Sequence, residues 1–404
     1  MSALCLYFQV HQPLRIKRFK VFDIGRDHEY FNDNSDLKTN NREVFLKVSQ
    51  KCYLPANELI LRLLRKHKGF KVAYSFSGTF LEQAEDYSVE VLDSFRRLLD
   101  TGRVELLTET YYHSLAFFYS RTEFEKQVDM HRDIIAKLFG VDSQVFRNTE
   151  LAYTNELAYW AENNGFKGIL AEGWDPVLGW RSPNYVYRPK DTKKIKLLLK
   201  NYKLSDDIAF RFSDQSWSEW PLTAEKYAVW LGETARHAQT INLFMDYETF
   251  GEHQWEDSGI FDFLNSLPGE IAKNNNLYFA TPSEVISKYK AVGFLDVPHI
   301  LTWADTERDL SAWIGNDIQQ SAIKELYGIE EKILTTGNTK LITDWRKLTT
   351  SDHFYYMCTK WFADGDVHQY FNPYDSPYDA YITFMNILAD LALRAENSKQ
   401  GGDR

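Results

Sequence analysis

A chain of 404 residues, 44% hydrophobic and 26% charged, has room for one large domain plus a smaller one and the balance of a folded protein. Its 57 acidic against 47 basic residues leave a net charge of −10, which argues against a nucleic-acid or anionic-membrane binder and suits a neutral partner. Cys5, Cys52 and Cys358 form no CxxC pair and are few for a disulfide scaffold, a pattern that fits a reducing compartment. The N-terminus enters a strand-like run without a basic leader, and no stretch approaches the ~20 apolar residues of a membrane helix. The expectation is a soluble, cytoplasmic protein.

Strand-like and helix-like segments then alternate. Residues 4–10 form a short apolar run, 54–67 carry helical spacing through Leu59, Leu63 and Leu64, and 72–76 read as a strand. A helix over 89–99 ends near Gly102, and a strand follows over 104–107. A helix over 123–139 closes on Gly140, a strand covers 144–147, a helix over 155–164 closes on Gly165, and 168–171 is a strand. After a less regular middle come a strand over 241–245, a helix over 259–273, a strand over 277–280 and a helix start at Thr281-Pro282-Ser283-Glu284. Such alternation predicts parallel strands with right-handed crossovers. GxGxxG and Walker patterns are absent, which favours a barrel over a nucleotide-binding open sheet. Residues 298–404 read differently, with helical spacing over 317–332, 343–348 and 378–393 and a polar tail from Ser398 expected to fray. The division expected is therefore a barrel over 1–297 and a helical region over 298–404. Two long connections interrupt the pattern. Residues 13–43 are rich in charge and Asn, and residues 172–220 hold Trp174, Trp180, Trp217 and Trp220; the second suits a substrate rim, because Trp-rich loops are seldom disordered.

The residues that can carry chemistry gather where strands end, the face on which barrel enzymes place their sites. His11 follows the first strand in Gln9-Val10-His11-Gln12-Pro13. Glu105 alternates with apolar neighbours in Arg103-Val104-Glu105-Leu106 and is expected to face inward near the acids, with His113 following at the same mouth. Glu150 ends one apolar run and Asp246 another, the second continuing Tyr247-Glu248-Thr249-Phe250-Gly251. Two carboxyl groups flanking a glycosidic bond are what sugar cleavage needs, one ionised and one protonated. Arg147 suits the first state and a neighbouring charge from Glu248 the second.

In order along the chain, His11-Gln12-Pro13, Gly102-Arg103-Val104-Glu105, Phe146 to Leu151, Asp246-Tyr247-Glu248 and Arg308-Asp309-Leu310-Ser311-Ala312-Trp313 resemble the five signature regions of glycoside hydrolase family 57. The resemblance implies an incomplete seven-stranded (β/α)7 barrel with a C-terminal helical region, and a retaining double displacement on α-1,4-glucans; no cofactor or metal is expected. It assigns Glu150 as nucleophile and Asp246 as general acid/base, with His11, Glu105, Glu248 and Asp309 as sugar-binding or supporting groups. His113, Trp313, Trp174 and Trp217 join them as expected substrate contacts. Tyr247 departs from the family's usual Gly and sets a ring beside the acid. Hydrolase and glucan transferase or branching activities share this first half-reaction and both stay open. So do a metal-dependent polysaccharide deacetylase or α-mannosidase-like enzyme with zinc among His11, His113, Asp246 and His253, and a non-catalytic glucan-binding protein. Oligomeric state is not legible.

Overall fold

The computed structural model describes residues 1–360 and 367–400. Its strands are β1 (Ser2–Val10), β2 (Val72–Phe76), β3 (Val104–Leu106), β4 (Val145–Phe146), β5 (Gly168–Glu172), β6 (Arg188–Pro189), β7 (Lys196–Lys200), β8 (Thr240–Asp246), β9 (Leu277–Phe279) and β10 (Phe294–Leu295). Every residue of β1, β2 and β5 is buried. That is why these segments read as unbroken apolar runs: helices cover one face and the opposing strands the other.

All strand pairs are parallel. β1 is central. It pairs with β8 from Ala3 to Gln9, with β2 near its C-terminal end and with β9 near its start. β3 extends β2, and β4, β5 and β7 form a second sheet in that order. The sheets are tied together at both edges. A bridge between Thr108 and Phe146 joins the end of β3 to β4. On the other side the Asn201 backbone N–H donates to Asn242 O at 2.8 Å, and the Asn242 amide donates to Leu199 O at 2.8 Å. The α/β class with parallel strands is as expected from the alternation.

The 172–220 stretch differs from expectation. It contains β7 and a helix over Tyr202–Ala209, and its tryptophans are scattered. Lys196-Leu197-Leu198-Leu199-Lys200 is a strand whose terminal lysines mask its apolar centre in the sequence. Gly78–Tyr87 is a helix that the sequence reading passed over, capped by the Ser77 hydroxyl accepting from Phe80 N.

The residues after β1 are packed, not loose. Ile16, Phe19 and Tyr30 join Trp313, Trp345, Phe384 and Leu391 in one buried cluster built mainly from the C-terminal helices. Tyr374 OH donates to Ile16 O, and the Asn386 amide to Phe19 O. The expected helix over 317–332 is two helices, Asp317–Gly328 and Glu330–Leu334. The last helix runs from Pro377 to Gln400, through the start of the tail expected to fray; residues 401–404 lie outside the described residues. Among the described residues no helix is long and apolar enough to cross a membrane.

Candidate active site

The C-terminal ends of the strands carry a polar layer. Gln9 of β1 stands opposite Ser75 of β2 and Asp246 of β8, and Glu172 of β5 stands opposite Lys200 of β7. Glu109 follows β3 and Arg147 follows β4. Taken around the strands, Glu109, Arg147, Glu172, Lys200 and Asp246 alternate in charge. Buried ions persist only with partners, and neighbours supply them: Arg147 lies 3.9 Å from Glu109, and Lys200 lies 3.6 Å from Glu172 and 3.0 Å from Asp206. Glu109 also accepts from Gln9 Nε2 at 2.8 Å and Ser75 Oγ at 2.9 Å, and meets His113 Nδ1 at 2.9 Å. Burial opposes its ionisation, but the His113 hydrogen bond and the charges of His113 and Arg147 prevail and hold its pKa at about 2.

Glu150 sits on this layer in a tight turn. Its φ of +57° and that of Leu151, +51°, are left-handed, as is that of His113 at +50°, a conformation costly for side chains with a Cβ. One carboxylate oxygen meets His113 Nε2 at 3.3 Å and the other accepts from Trp303 Nε1 at 2.7 Å. Burial would raise the Glu150 pKa, but the hydrogen bond and charge of His113, with Arg147, bring it below the ordinary glutamate value. His113 is itself raised to about 9: its burial is outweighed by its bonds to Glu109 and Glu150. His11 stacks on His113 with ring centroids 4.0 Å apart. Burial and the His113 charge lower its pKa. Its nitrogens meet Ser77 Oγ at 2.6 Å and Asp352 Oδ2 at 2.9 Å.

Asp246 has the opposite environment. Burial and the charge of Glu150 raise its pKa to about 6, against the pull of Arg147, His113 and Lys200. Glu248, two residues on, is raised to about 8 by burial and by Asp246; it accepts from Tyr53 OH and, at 3.3 Å, from His11 N. Tyr247 between them turns the other way. Its ring packs on Phe8, Tyr74 and Phe250, and its hydroxyl donates to Asn57 Oδ1 at 2.7 Å. The expected ring beside the acid is thus a core ring. Tyr247→Phe should cost about 1–3 kcal/mol, because Asn57 keeps a buried acceptor with no donor, while leaving kcat and KM unchanged. Urea unfolding and steady-state kinetics check both halves.

Glu150, Asp246 and Glu248, with Trp303 and the two stacked histidines, line one cavity of about 560 Å³. Of the residues expected from sequence, it brings together His11, His113, Glu150, Asp246, Glu248 and Trp313. It does not bring in the other four. Glu105 lies deeper, opposite Ala73, and accepts from the Ser283 backbone N–H at 2.9 Å and from its hydroxyl. The carboxylate after β3 that supports the site is Glu109, four residues further, fully buried and bonded to the cavity residues His113 and Gln9. Asp309 is exposed and accepts from Ser311 N at 2.7 Å. Asp352, from the C-terminal helices, lines the cavity and holds His11. Trp174 packs against the cluster around Phe146 and Ile169, and Trp217 against Trp230. Lys200, Asp206, Trp303 and Asp305 line the cavity without having been singled out in the sequence, and Arg308, quoted there only as the start of the fifth region, lines it too. For Lys200 the signal was an apolar triplet ending on a lysine. Trp303 and Asp352 lie in segments without periodicity. Both ring nitrogens of His11 and of His113 are engaged by side chains, so neither offers a free lone pair to a metal.

A parallel α/β scaffold that sets one carboxyl group of lowered pKa and one of raised pKa at a single cavity has the pair of acids that a carbohydrate-cleaving site needs. The chain belongs to glycosyl hydrolase family 57, whose family model matches residues 5–298. It is 46% identical over 395 residues to a Methanocaldococcus jannaschii protein named "Putative alpha-amylase", covering 95% of this chain and 82% of that one. A 4-alpha-glucanotransferase of Thermococcus litoralis is 23% identical over 264 residues, which are 63% of this chain and 38% of that protein. In fold the chain is similar to a GH57-type branching enzyme from Pyrococcus horikoshii, with a TM-score of 0.68 at 14% identity, covering 92% of this chain and 87% of that one.

Proposed function

We propose that the protein is a retaining enzyme on α-1,4-glucans, with Glu150 as nucleophile and Asp246 as general acid/base. The carrying observation is the divergence of the two acids: Glu150 is held below the ordinary glutamate pKa, while Asp246 is raised to about 6. Paired titratable groups pushed apart in this way mark a base or nucleophile and an acid. Asp246 donates its proton to the glycosidic oxygen as Glu150 attacks the anomeric carbon. The bond to the leaving sugar breaks and a glycosyl ester on Glu150 forms. Asp246 then takes a proton from the incoming hydroxyl, and the ester is released with net retention. His11, His113, Glu248 and Trp313 bind or support the sugar from the same cavity. The scaffold in this reading is an incomplete barrel of seven strands, β1 to β5, β7 and β8, followed by the helical region over 298–404.

Water and a sugar hydroxyl are both chemically competent acceptors, so 4-α-glucanotransferase or branching activity is the second reading. Names among the relatives and structures similar to this chain include amylases, a glucanotransferase and branching enzymes. Incubation with a single maltooligosaccharide, followed by product length and anomer in NMR, tests the proposal. Shorter α-anomers alone indicate hydrolysis, and redistributed lengths indicate transfer. Products born as β-anomers would overturn retention.

A further inference from the structure

Glu150 is gripped twice by one residue. Trp303 Nε1 donates to Glu150 Oε2 at 2.7 Å, and the Trp303 backbone N–H donates to Glu150 O at 3.2 Å. Glu150 is a left-handed residue, φ +57°, and its carboxylate is held between Trp303 on one oxygen and His113 on the other, so Trp303 helps to set where it points. Trp303 is itself fixed. The Arg308 guanidinium donates to its carbonyl and reaches Asp206 at 3.2 Å and Glu172 at 3.6 Å. Two buried cations face its ring: the Arg147 guanidinium is 4.9 Å and Lys200 Nζ 5.4 Å from the ring centroid. Cations over an indole are held by its π-electrons. They draw electron density from the ring, which makes the Nε1–H a stronger donor to an anion.

We propose that Trp303 is a positioning residue for the nucleophile: its indole N–H, polarised by Arg147 and Lys200, orients the Glu150 carboxylate and favours its ionised form. In the free enzyme one oxygen of Glu150 is engaged by Trp303 and the other by His113. Attack through the His113-bound oxygen leaves Trp303 on the carbonyl oxygen of the ester, so the contact spans the whole cycle. This inference rests on Glu150 being the nucleophile.

The test is Trp303→Phe, which keeps an aromatic ring and removes the donor, together with 3-benzothienylalanine at position 303, which keeps the bicyclic shape and replaces N–H by sulfur. For both, kcat on maltooligosaccharides should fall about 10²-fold, as for loss of one preorganised donor, with KM little changed. The acidic limb of the pH profile should move upward, because a carboxylate that loses a donor to its charged form is harder to ionise. Wild-type kcat and an unmoved acidic limb in the benzothienyl protein would overturn the proposal. So would a fall in kcat with an unmoved limb, which is what a packing role alone gives. Trapping wild-type enzyme with 5-fluoro-α-glucosyl fluoride and mapping the labelled peptide separates the two claims: a label away from Glu150 overturns the nucleophile assignment itself.

Discussion

Glu150→Gln is expected to reduce turnover on maltooligosaccharides by about 10⁴-fold or more, the scale seen when an enzyme's nucleophile is removed, while binding of the same sugars persists. The substitution is nearly isosteric. Trp303 Nε1 keeps an acceptor in the glutamine Oε1 at the position now 2.7 Å away, so the cavity floor is preserved. The amide cannot form a glycosyl ester that turns over. Its NH2 must also face His113 Nε2, and the substitution removes the Glu150 charge that helps to raise the His113 pKa, which weakens the contact now made at 3.3 Å. Calorimetry should therefore give a Kd near that of the wild type alongside negligible product. Turnover within tenfold of wild type would remove Glu150 from the mechanism. A loss of binding equal to the loss of turnover would instead make it a substrate-holding residue.

The strand ends were legible because the segments before them are buried on both faces and leave apolar runs that stop at a polar group. β8 stops at Asp246 and β1 at Gln9-Val10-His11 in this way. What lay off the strands was not legible. β3 is three residues long, so the period-two count from Glu105 fails before it reaches Glu109, and the inward carboxylate of the sequence pattern is not the one that supports the site. Tyr247 shows the reverse: alternation along β8 sends neighbours of Asp246 outward, and a hydroxyl partner on Asn57 settles the ring in the core. Asp309 and Asp352 have similar local sequence credentials, each an acid shortly before aromatic residues. Only the packing of the C-terminal helices against Ile16, Phe19 and Tyr30 brings one of them to His11. The tryptophans of 172–220 illustrate the same limit. Composition placed flat rings near the site, yet Trp217 went to the core edge and Trp180 to solvent, where it is 89% exposed. Trp303 and Trp313 took the cavity wall.

Asp246→Asn should have an effect that depends on the leaving group. On maltooligosaccharides the loss should be about 10²–10⁴-fold, the usual contribution of a positioned proton donor. On α-glucosyl fluoride, whose fluoride departs without protonation, the first step should be nearly intact and the second, which needs a base, should become limiting. Added azide, a nucleophile that needs no base, should then restore turnover on the fluoride substrate and not on the oligosaccharide. The pH profile gives an independent handle. Asp246 must be protonated for the first step, so its limb is lost as pH rises through about 6. Glu150 must be ionised, so the other limb is lost as pH falls through a value below the ordinary glutamate pKa. The wild type should thus show a bell with its maximum on the acidic side of neutrality. Its limbs belong to the coupled pair, because part of the shift on Asp246 comes from the Glu150 charge. Esterification of Glu150 removes that charge, which lowers the Asp246 pKa and converts it from acid to base at the moment the second step requires one. In Asp246→Asn the alkaline limb should disappear from the residual activity on maltooligosaccharides, whose leaving group needs the proton, while the acidic limb remains. Equal loss on both substrates, or an alkaline limb that survives the substitution, would assign the proton transfer to another group, with Glu248, raised to about 8, the next to test.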